Sequence, residues 1–196
     1  MAAIDYYFSV LSPWAYFAGS RLEQIAGRQG ASIAYKPVDA MKVFSETGGL
    51  PPAKRPPARL AYRAQELRRT SAKTGMPYHF EPAHWPTDAV PASAAIIALE
   101  QAGGDAGALA RAFLAAVWVE QLDIAAPEVV ADKLGSVGGD AVALAGAMQA
   151  ARDVYDQNTR EAIERGVFGV PFYLIGDEKF WGQDRLDDVE AHLSRL

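Results

Sequence analysis

Residues 6–15 are Tyr6-Tyr7-Phe8-Ser9-Val10-Leu11-Ser12-Pro13-Trp14-Ala15, and this stretch decides the fold of the chain. Its first half is aromatic and β-branched, which predicts a buried strand from Ala3 to Val10. Ser12 and Pro13 follow, and these residue types are favoured at the N-cap and the first position of a helix. We therefore expect the strand to pass directly into a helix, which the apolar stripe of the following residues extends to about Gly30.

A second informative stretch lies in the last third of the chain, Gly166-Val167-Phe168-Gly169-Val170-Pro171-Phe172-Tyr173-Leu174-Ile175. Pro171 follows a glycine-containing turn and precedes an apolar run. This pattern predicts a strand over Phe172 to Ile175, which forms a hairpin with a strand over Lys179 to Trp181. An amphipathic pattern then predicts a last helix from Asp184 to Leu196.

Between these two ends the pattern is mostly helical. A second strand is predicted from Ser32 to Val38, and a stretch rich in proline and glycine follows from Gly48 to Pro57. From Ala58 to about Arg165 the spacing of apolar residues predicts five or six helices. Two strands, a helical block, two further strands and a helix are not the order of a doubly wound sheet.

This order of elements resembles the thioredoxin-like fold, in which a strand leads to a Cys-Pro-x-Cys motif that opens a helix. The resemblance predicts an α/β protein with a mixed four-stranded sheet in a thioredoxin-like core, formed by residues 1–40 and 166–196. Residues 41–165 would form a large all-helical insertion that covers the active site. Thioredoxin-like folds also place a cis-proline opposite the motif. Although only about 5% of X-Pro bonds are cis, we expect the Val170–Pro171 bond to be one of them.

Three segments resemble one family more closely, the 2-hydroxychromene-2-carboxylate isomerases, which are related to kappa-class glutathione transferases and to bacterial disulfide oxidases. Residues Leu11 to Ala18 are similar to the family's Ser-Pro-aromatic segment. Residues Gly166 to Pro171 match its G-V-F-G-V-P motif, and Trp181 to Leu186 match its W-G-[NQ]-D-R-L motif. Weaker similarities in the middle, such as Val117-Trp118, extend the resemblance over nearly the whole chain.

The chain contains no cysteine, so it lacks the thiols of the thioredoxin motif that it resembles. Ser12 stands where thioredoxins have their first cysteine, so a thiol must come from a small molecule, and we expect glutathione as the cofactor. A helix N-terminus and a serine hydroxyl both favour a thiolate, and the thiolate is the reactive form. Without the resemblance, Ser12 and Pro13 would indicate only an ordinary helix cap.

The resemblance also assigns roles to further residues. Ser12 would be the catalytic residue, and the glutathione would be bound by Val170, Pro171, Gln183, Asp184, Arg185 and Arg59. The substrate pocket would include Trp14, Trp85 and Asp88. Each residue also has a purely structural interpretation. Asp184 could cap the last helix, Arg59 could belong to a solvated basic helix face, and the four tryptophans, Trp14, Trp85, Trp118 and Trp181, could lie mostly in the core.

The implied activity is a cis–trans isomerisation of 2-hydroxychromene-2-carboxylate to trans-o-hydroxybenzylidenepyruvate, with the glutathione thiolate as a regenerated nucleophile. The alternatives are a kappa-like glutathione transferase or peroxidase, or a non-catalytic glutathione-binding relative of disulfide oxidases. Two departures from the family concern the substrate. Gly49 stands where relatives have asparagine, and Asp88 stands where many relatives also have asparagine.

Composition restricts the remaining classes of function. The formal net charge of −5 disfavours a nucleic-acid partner, and the absence of cysteine excludes disulfides and thiolate metal sites. The three histidines have no metal-ligand spacing. We see no signal peptide and no membrane span. We therefore expect a cytoplasmic enzyme, a homodimer like related folds, whose partners are glutathione and a small aromatic carboxylate.

Overall fold

The computed structural model describes residues 2–196. Four strands, β1 (Ala3–Phe8), β2 (Ser32–Pro37), β3 (Phe172–Ile175) and β4 (Glu178–Trp181), form a sheet in the order β2-β1-β3-β4. β1 is parallel to β2 and antiparallel to β3, and β3 and β4 form the predicted hairpin. The mixed four-stranded sheet and the α/β class are therefore confirmed.

Helices α1 (Pro13–Ala18) and α2 (Arg21–Gln29) connect β1 to β2, and α3 (Ala40–Thr47) follows β2. Five helices then fill the predicted helical stretch: α4 (Pro57–Thr74), α5 (Val90–Gln101), α6 (Ala106–Trp118), α7 (Pro127–Ser136) and α8 (Ala145–Glu164). Helix α9 (Leu186–Leu193) ends the described chain. Among residues 2–196, no helix combines the length and apolar character that crossing a bilayer requires.

Two predicted helices differ from those in the structure. The helix predicted from Pro13 to Gly30 is broken at Gly19, which has a φ of 58°, a backbone conformation that glycine adopts at little cost. The last helix begins at Leu186 rather than at Asp184, because Gln183 to Arg185 form a separate 3₁₀ turn. The side chain of Asp184 therefore does not cap this helix.

The Val170–Pro171 peptide bond is cis, as predicted. The Trp85–Pro86 bond is also cis, which we did not predict from the sequence.

The sheet separates two apolar layers. Because side chains alternate along a strand, Ile4, Tyr6 and Phe8 face the larger layer, which includes residues of α1, α2, α6 and α9. Tyr7 faces the other layer with Phe172, Leu174 and residues of α3 and α8. A strand that is apolar on both faces must lie inside the protein, as the sequence of β1 predicted.

A cluster of charged side chains joins the end of α8 to the sheet. The Lys36 Nζ lies 3.1 Å from the Asp5 Oδ1 and 2.7 Å from the Glu161 Oε1, and Arg165 also pairs with Asp5. The Tyr7 hydroxyl donates a hydrogen bond of 2.8 Å to Glu161. Burial and this bond raise the pKa of Tyr7 to about 12, so the hydroxyl stays protonated at neutral pH. The cluster fixes the point from which residues 166–171 return to the sheet.

A second polar contact joins α6 to the sheet. The Glu23 Oε1 accepts a hydrogen bond of 3.1 Å from the Tyr35 hydroxyl and pairs with Arg111 of α6. Gly107, in the first turn of α6, makes this approach possible. A Cβ at Gly107 would lie 2.8 Å from the Tyr35 Cζ and 2.9 Å from the Glu23 Oε1, which is too close for either atom.

Two glycines at the second position of their helices provide a matched test of this packing. We expect Gly107→Ala to lower the free energy of unfolding by about 1–3 kcal/mol, because the added methyl group overpacks the contact. Gly146→Ala, where no atom lies within 4 Å of the added Cβ, should raise it by up to about 1 kcal/mol through helix propensity. Urea unfolding measures both changes. Equal stabilisation by the two substitutions would show that α6 does not pack closely on Tyr35.

Candidate active site

A cleft of about 640 Å³ lies between α4, the loop that precedes β3 and the turn after β4. Its walls include most of the residues that the sequence predicted for the site: Trp14, Arg59, Val170, Gln183, Asp184 and Arg185. These residues come from distant parts of the chain. Of the other predicted site residues, Pro171 directly follows Val170 and Ser12 lies two residues before Trp14, but neither lines the cleft. Trp85 and Asp88 do not line it either.

Ser12 is the N-cap of α1. Its Oγ accepts a hydrogen bond of 3.3 Å from the Ala15 N–H, and Pro13 occupies the first helical position. Ser12 is 8% exposed, and its hydroxyl hydrogen is not donated to any acceptor in the described chain. The hydroxyl hydrogen is therefore free to be donated to a ligand at this turn.

The backbone of Val170 is available to a ligand. Within residues 2–196, neither its N–H nor its C=O makes a backbone hydrogen bond, although the residue is buried beside the cleft. The next carbonyl, that of Pro171, accepts a hydrogen bond of 3.0 Å from the Gly182 N–H. This bond holds the turn at residues 182–185 next to Val170. A short extended peptide could therefore pair with Val170 as an added strand.

The turn after β4 carries the charged end of the cleft. Gly182 has a φ of 107°, and a Cβ there would lie 2.5 Å from the Asp184 Oδ1, so a glycine is required. The Asp184 Oδ2 lies 3.4 Å from Arg185, which also lies 3.7 Å from Asp188. Arg185 is therefore the partner of two carboxylates, and Asp184 remains largely exposed to the cleft.

Trp181 also lines the cleft and is 53% exposed, so the expectation that it lies in the core is wrong. Trp118, in contrast, is buried as expected. The Trp181 ring packs edge-on against Phe168, with a distance of 5.0 Å between the ring centroids. A Cβ at Gly169 would lie 2.5 Å from the Trp181 Nε1, so this glycine lets the indole lie against the loop.

The opposite wall carries three arginines, Arg55, Arg59 and Arg63. The sequence left open whether this region is a solvated basic face or whether Arg59 binds a carboxylate. Arg59 is exposed, whereas Arg55 and Arg63 are partly buried. Burial lowers the pKa of both side chains, and neighbouring arginines lower it further. Arg55 and Arg63 were not among the predicted site residues. The spacing of four residues between Arg59 and Arg63 was the available signal, because it places both on one side of α4, whereas Arg55 precedes this helix.

Phe44 accounts for one departure from the family pattern. It lines the cleft, and a Cβ at Gly49 would lie 2.9 Å from the Phe44 Cδ1 and 3.2 Å from its Cα. A larger residue at position 49, such as the asparagine of relatives, would require Phe44 to move. Here the phenyl ring occupies that space, so this part of the wall is apolar.

Trp85 and Asp88 do not line this cleft. The Trp85 Nε1–H donates a hydrogen bond of 3.1 Å to the carbonyl of Leu11, the residue before Ser12, and its ring packs against Trp118. The Asp88 carboxylate accepts a hydrogen bond of 2.9 Å from the Val90 N–H, near the start of α5. Among residues 2–196, no three acidic or histidine side chains are grouped closely enough to hold a metal ion.

Comparisons with known proteins agree with this architecture. Residues 3–194 match the family described as DSBA-like thioredoxin domain. A 2-hydroxychromene-2-carboxylate isomerase of Pseudomonas putida is 35% identical, over 98% of this chain and 95% of that protein. One of Sphingobium xenophagum is 32% identical, over 97% of each chain.

Solved structures are also similar to this chain over nearly its whole length. The structure of a selenomethionine 2-hydroxychromene-2-carboxylate isomerase has a TM-score of 0.78 and 32% identity, over 99% of this chain and 95% of that one. A probable DsbA oxidoreductase of Streptomyces coelicolor has a TM-score of 0.77 over 100% of this chain and 89% of that one. Its identity of 15% supports only the shared fold.

The hydrogen bond from Trp85 should hold the Leu11–Ser12 turn in place. We expect Trp85→Phe, which removes the N–H, to accelerate amide exchange of residues 12–16 by about two- to tenfold relative to the slowest amides. Trp118→Phe is the matched control, because the buried Trp118 Nε1 has no hydrogen-bond partner in the described chain. Hydrogen exchange followed by mass spectrometry measures both. Equal acceleration in the two variants would mean that lost volume, not the bond, is responsible.

Proposed function

Because the chain belongs to the DSBA-like thioredoxin family, and within it to the 2-hydroxychromene-2-carboxylate isomerases, we propose that it is an isomerase that uses glutathione as a recycled thiol. The proposed reaction converts 2-hydroxychromene-2-carboxylate to trans-o-hydroxybenzylidenepyruvate. One observation carries the glutathione dependence. The capping turn at Ser12 has a free hydroxyl donor, and the chain has no thiol of its own.

The cleft fits glutathione in its donors and acceptors. Glutathione is a short peptide with two carboxylates, an ammonium group and a thiol. Val170 offers the unpaired backbone N–H and C=O that an extended peptide needs. The Asp184 carboxylate suits the ammonium group, Gln183 can bond to the γ-glutamyl carboxylate, and Arg59 can hold the glycyl carboxylate with two parallel hydrogen bonds.

Glutathione held by Val170, Asp184 and Arg59 would supply the thiolate nucleophile for this isomerisation, in which the C–O bond of the chromene ring opens and the thiol is released unchanged. The Ser12 hydroxyl donates to the sulfur and stabilises its ionised form, which lowers the pKa of the thiol. The Ser12 Oγ already accepts from the Ala15 N–H, so its hydrogen is free to point away from the helix. Serine itself is not the nucleophile, because no histidine lines the cleft to act as its base.

Aromatic side chains give the cleft its affinity for a flat substrate. Trp14 follows the Ser12-Pro13 pair, and Tyr62 of α4 lines the same cleft. Tyr62 is 60% exposed, so a planar aromatic ligand would gain apolar contact by covering it. Rings of this kind stack on aromatic ligands in offset or edge-on geometries. Both rings therefore suit the bicyclic chromene better than an aliphatic substrate.

The defining experiment follows glutathione and product together. We expect trans-benzylidenepyruvate to form only when glutathione is present, while the total amount of glutathione stays constant. Net consumption of glutathione would indicate the transferase or peroxidase instead. Glutathione should also stabilise the folded protein, by about 2.7 kcal/mol at 100 times its dissociation constant. No thermal shift at millimolar glutathione would contradict the proposed cofactor.

The substitution Ser12→Ala isolates the hydroxyl. It removes one hydrogen bond to a charged sulfur, worth about 1.5–3 kcal/mol, so turnover should fall about tenfold to hundredfold. The pKa of the bound thiol should rise, so thiolate absorbance in the ultraviolet should appear only at higher pH. The affinity for glutathione should fall much less, because Val170 and Asp184 remain.

The matched control for the lost cap is Asp105→Ala. The Asp105 side chain caps α6 by accepting from the Ala108 N–H, away from the cleft. Each substitution should cost about 1 kcal/mol of stability, but only Ser12→Ala should slow turnover and shift the thiol titration. If Ser12→Ala retains wild-type turnover and titration, Ser12 is only a helix cap.

A further inference from the structure

We propose that Arg55 and Arg63 form a carboxylate-binding subsite for the second reactant and thereby select anionic aromatic substrates. The proposal rests on the proposed function only for the identity of that reactant. Its physical basis is the charge distribution of the cleft wall, which does not depend on any reaction.

The two arginines are held on one wall of the cleft. Arg63 lies in α4, one helical turn after Arg59, and Arg55 precedes the helix. The Arg55 Nε–H donates a hydrogen bond of 2.8 Å to the Leu50 carbonyl, and its guanidinium lies over the Phe44 ring, 5.7 Å from the centroid. These contacts fix the direction of Arg55 and leave its terminal nitrogens without a protein acceptor in the described chain.

In the described chain, the acidic side chains of the cleft do not balance the positive charges of these three arginines. Within residues 2–196, no carboxylate lies within 4 Å of Arg55, Arg59 or Arg63, whereas the acidic side chains that line the cleft are already paired. Glu66 pairs with Arg69 at 2.5 Å, and Asp184 pairs with Arg185. The charge of Arg59 lowers the pKa of Arg55, and the charge of Arg55 lowers the pKa of Arg63, so an anion in the cleft would relieve repulsion between these arginines.

The partial burial of Arg63 indicates that its guanidinium is suited to an anion in the cleft rather than to bulk water. Arg63 is partly buried in α4, and burial together with the nearby Arg55 lowers the pKa of its guanidinium. It stays charged at neutral pH, but its charge is poorly hydrated. A poorly hydrated guanidinium binds carboxylates strongly, because little hydration is lost and two parallel hydrogen bonds are gained.

The number of anionic groups indicates which ligand binds there. Glutathione has two carboxylates, which the proposed function assigns to Gln183 with its neighbouring turn and to Arg59. The substrate adds one more carboxylate. Arg55 and Arg63 remain as its partners, close to the aromatic rings of Phe44 and Tyr62 on the same wall. A ligand that combines a ring with a carboxylate therefore matches this wall.

The test measures binding without turnover. By titration calorimetry, 2-hydroxybenzoate should bind the glutathione-loaded protein. Arg63→Gln and Arg55→Gln should each weaken its affinity at least about tenfold, as expected for a hydrogen bond to a charged group. Arg63→Lys, which keeps the charge, should recover part of the affinity. The matched control is Arg68→Gln, an exposed arginine of the same helix that does not line the cleft, and it should bind like the wild type.

Two further measurements make the result specific. The neutral analogue 2-hydroxybenzamide should bind the wild type and Arg63→Gln equally, because it has no charge to lose. The affinity of Arg63→Gln for glutathione should be unchanged. Unaltered 2-hydroxybenzoate binding in both glutamine variants, or a parallel loss of glutathione affinity, would overturn the subsite.

Kinetics separates this proposal from the proposed function. With 2-hydroxychromene-2-carboxylate, Arg63→Gln should raise KM at least about tenfold with little change in kcat, as for lost ground-state binding. An unchanged KM would overturn the subsite and leave the isomerase in place. The opposite outcome is that the wild type does not isomerise the chromene, while Arg63→Gln loses the 2-hydroxybenzoate binding that the wild type shows. In that case the subsite stands and the proposed function fails.

Discussion

The antiparallel pairing of β1 with β3 is the constraint on which the site depends. Tyr7 is paired with Phe172. The residues that follow β1 and those that precede β3 therefore leave the sheet at the same end of the strands. Ser12 and Val170, which are far apart in sequence, thereby reach one end of the sheet. The bond between the Pro171 carbonyl and the Gly182 N–H adds the turn after β4 to the same place.

The helical stretch between β2 and β3 completes the site in a different way. Its last helix, α8, is joined to the sheet by the ion pair of Glu161 with Lys36, and Arg165, which follows the helix, pairs with Asp5. These contacts fix the start of the loop at residues 166–171. Helix α4 and the segment just before it provide the basic wall of the cleft. The ends of the strands therefore bring Ser12, Val170 and the turn at residues 182–185 together, and α4 with the segment before it supplies three arginines to the cleft.

The net charge of the whole chain is negative, whereas one wall of the cleft is positively charged. The formal net charge is −5, yet the wall formed by Arg55, Arg59 and Arg63 carries three positive charges without acidic partners in the described chain. The contrast has a physical consequence. A small anion can concentrate at the cleft although the chain as a whole is negatively charged.

Local patterns in the sequence determined most of the secondary structure and the ends of the site. The continuous apolar run of β1, the Ser12-Pro13 cap, the hairpin of β3 and β4 and the cis bond before Pro171 depend on neighbouring residues or on recognisable motifs, so they could be predicted. The break at Gly19 was missed, because a glycine within an apolar helical pattern does not reveal that its φ is positive. Only the tertiary structure decided that Trp85 bonds to the Leu11 carbonyl, that Trp181 faces the cleft and that Arg63 is partly buried there. Those outcomes depend on which distant element packs against each side chain, and the sequence around a residue carries no information about that neighbour.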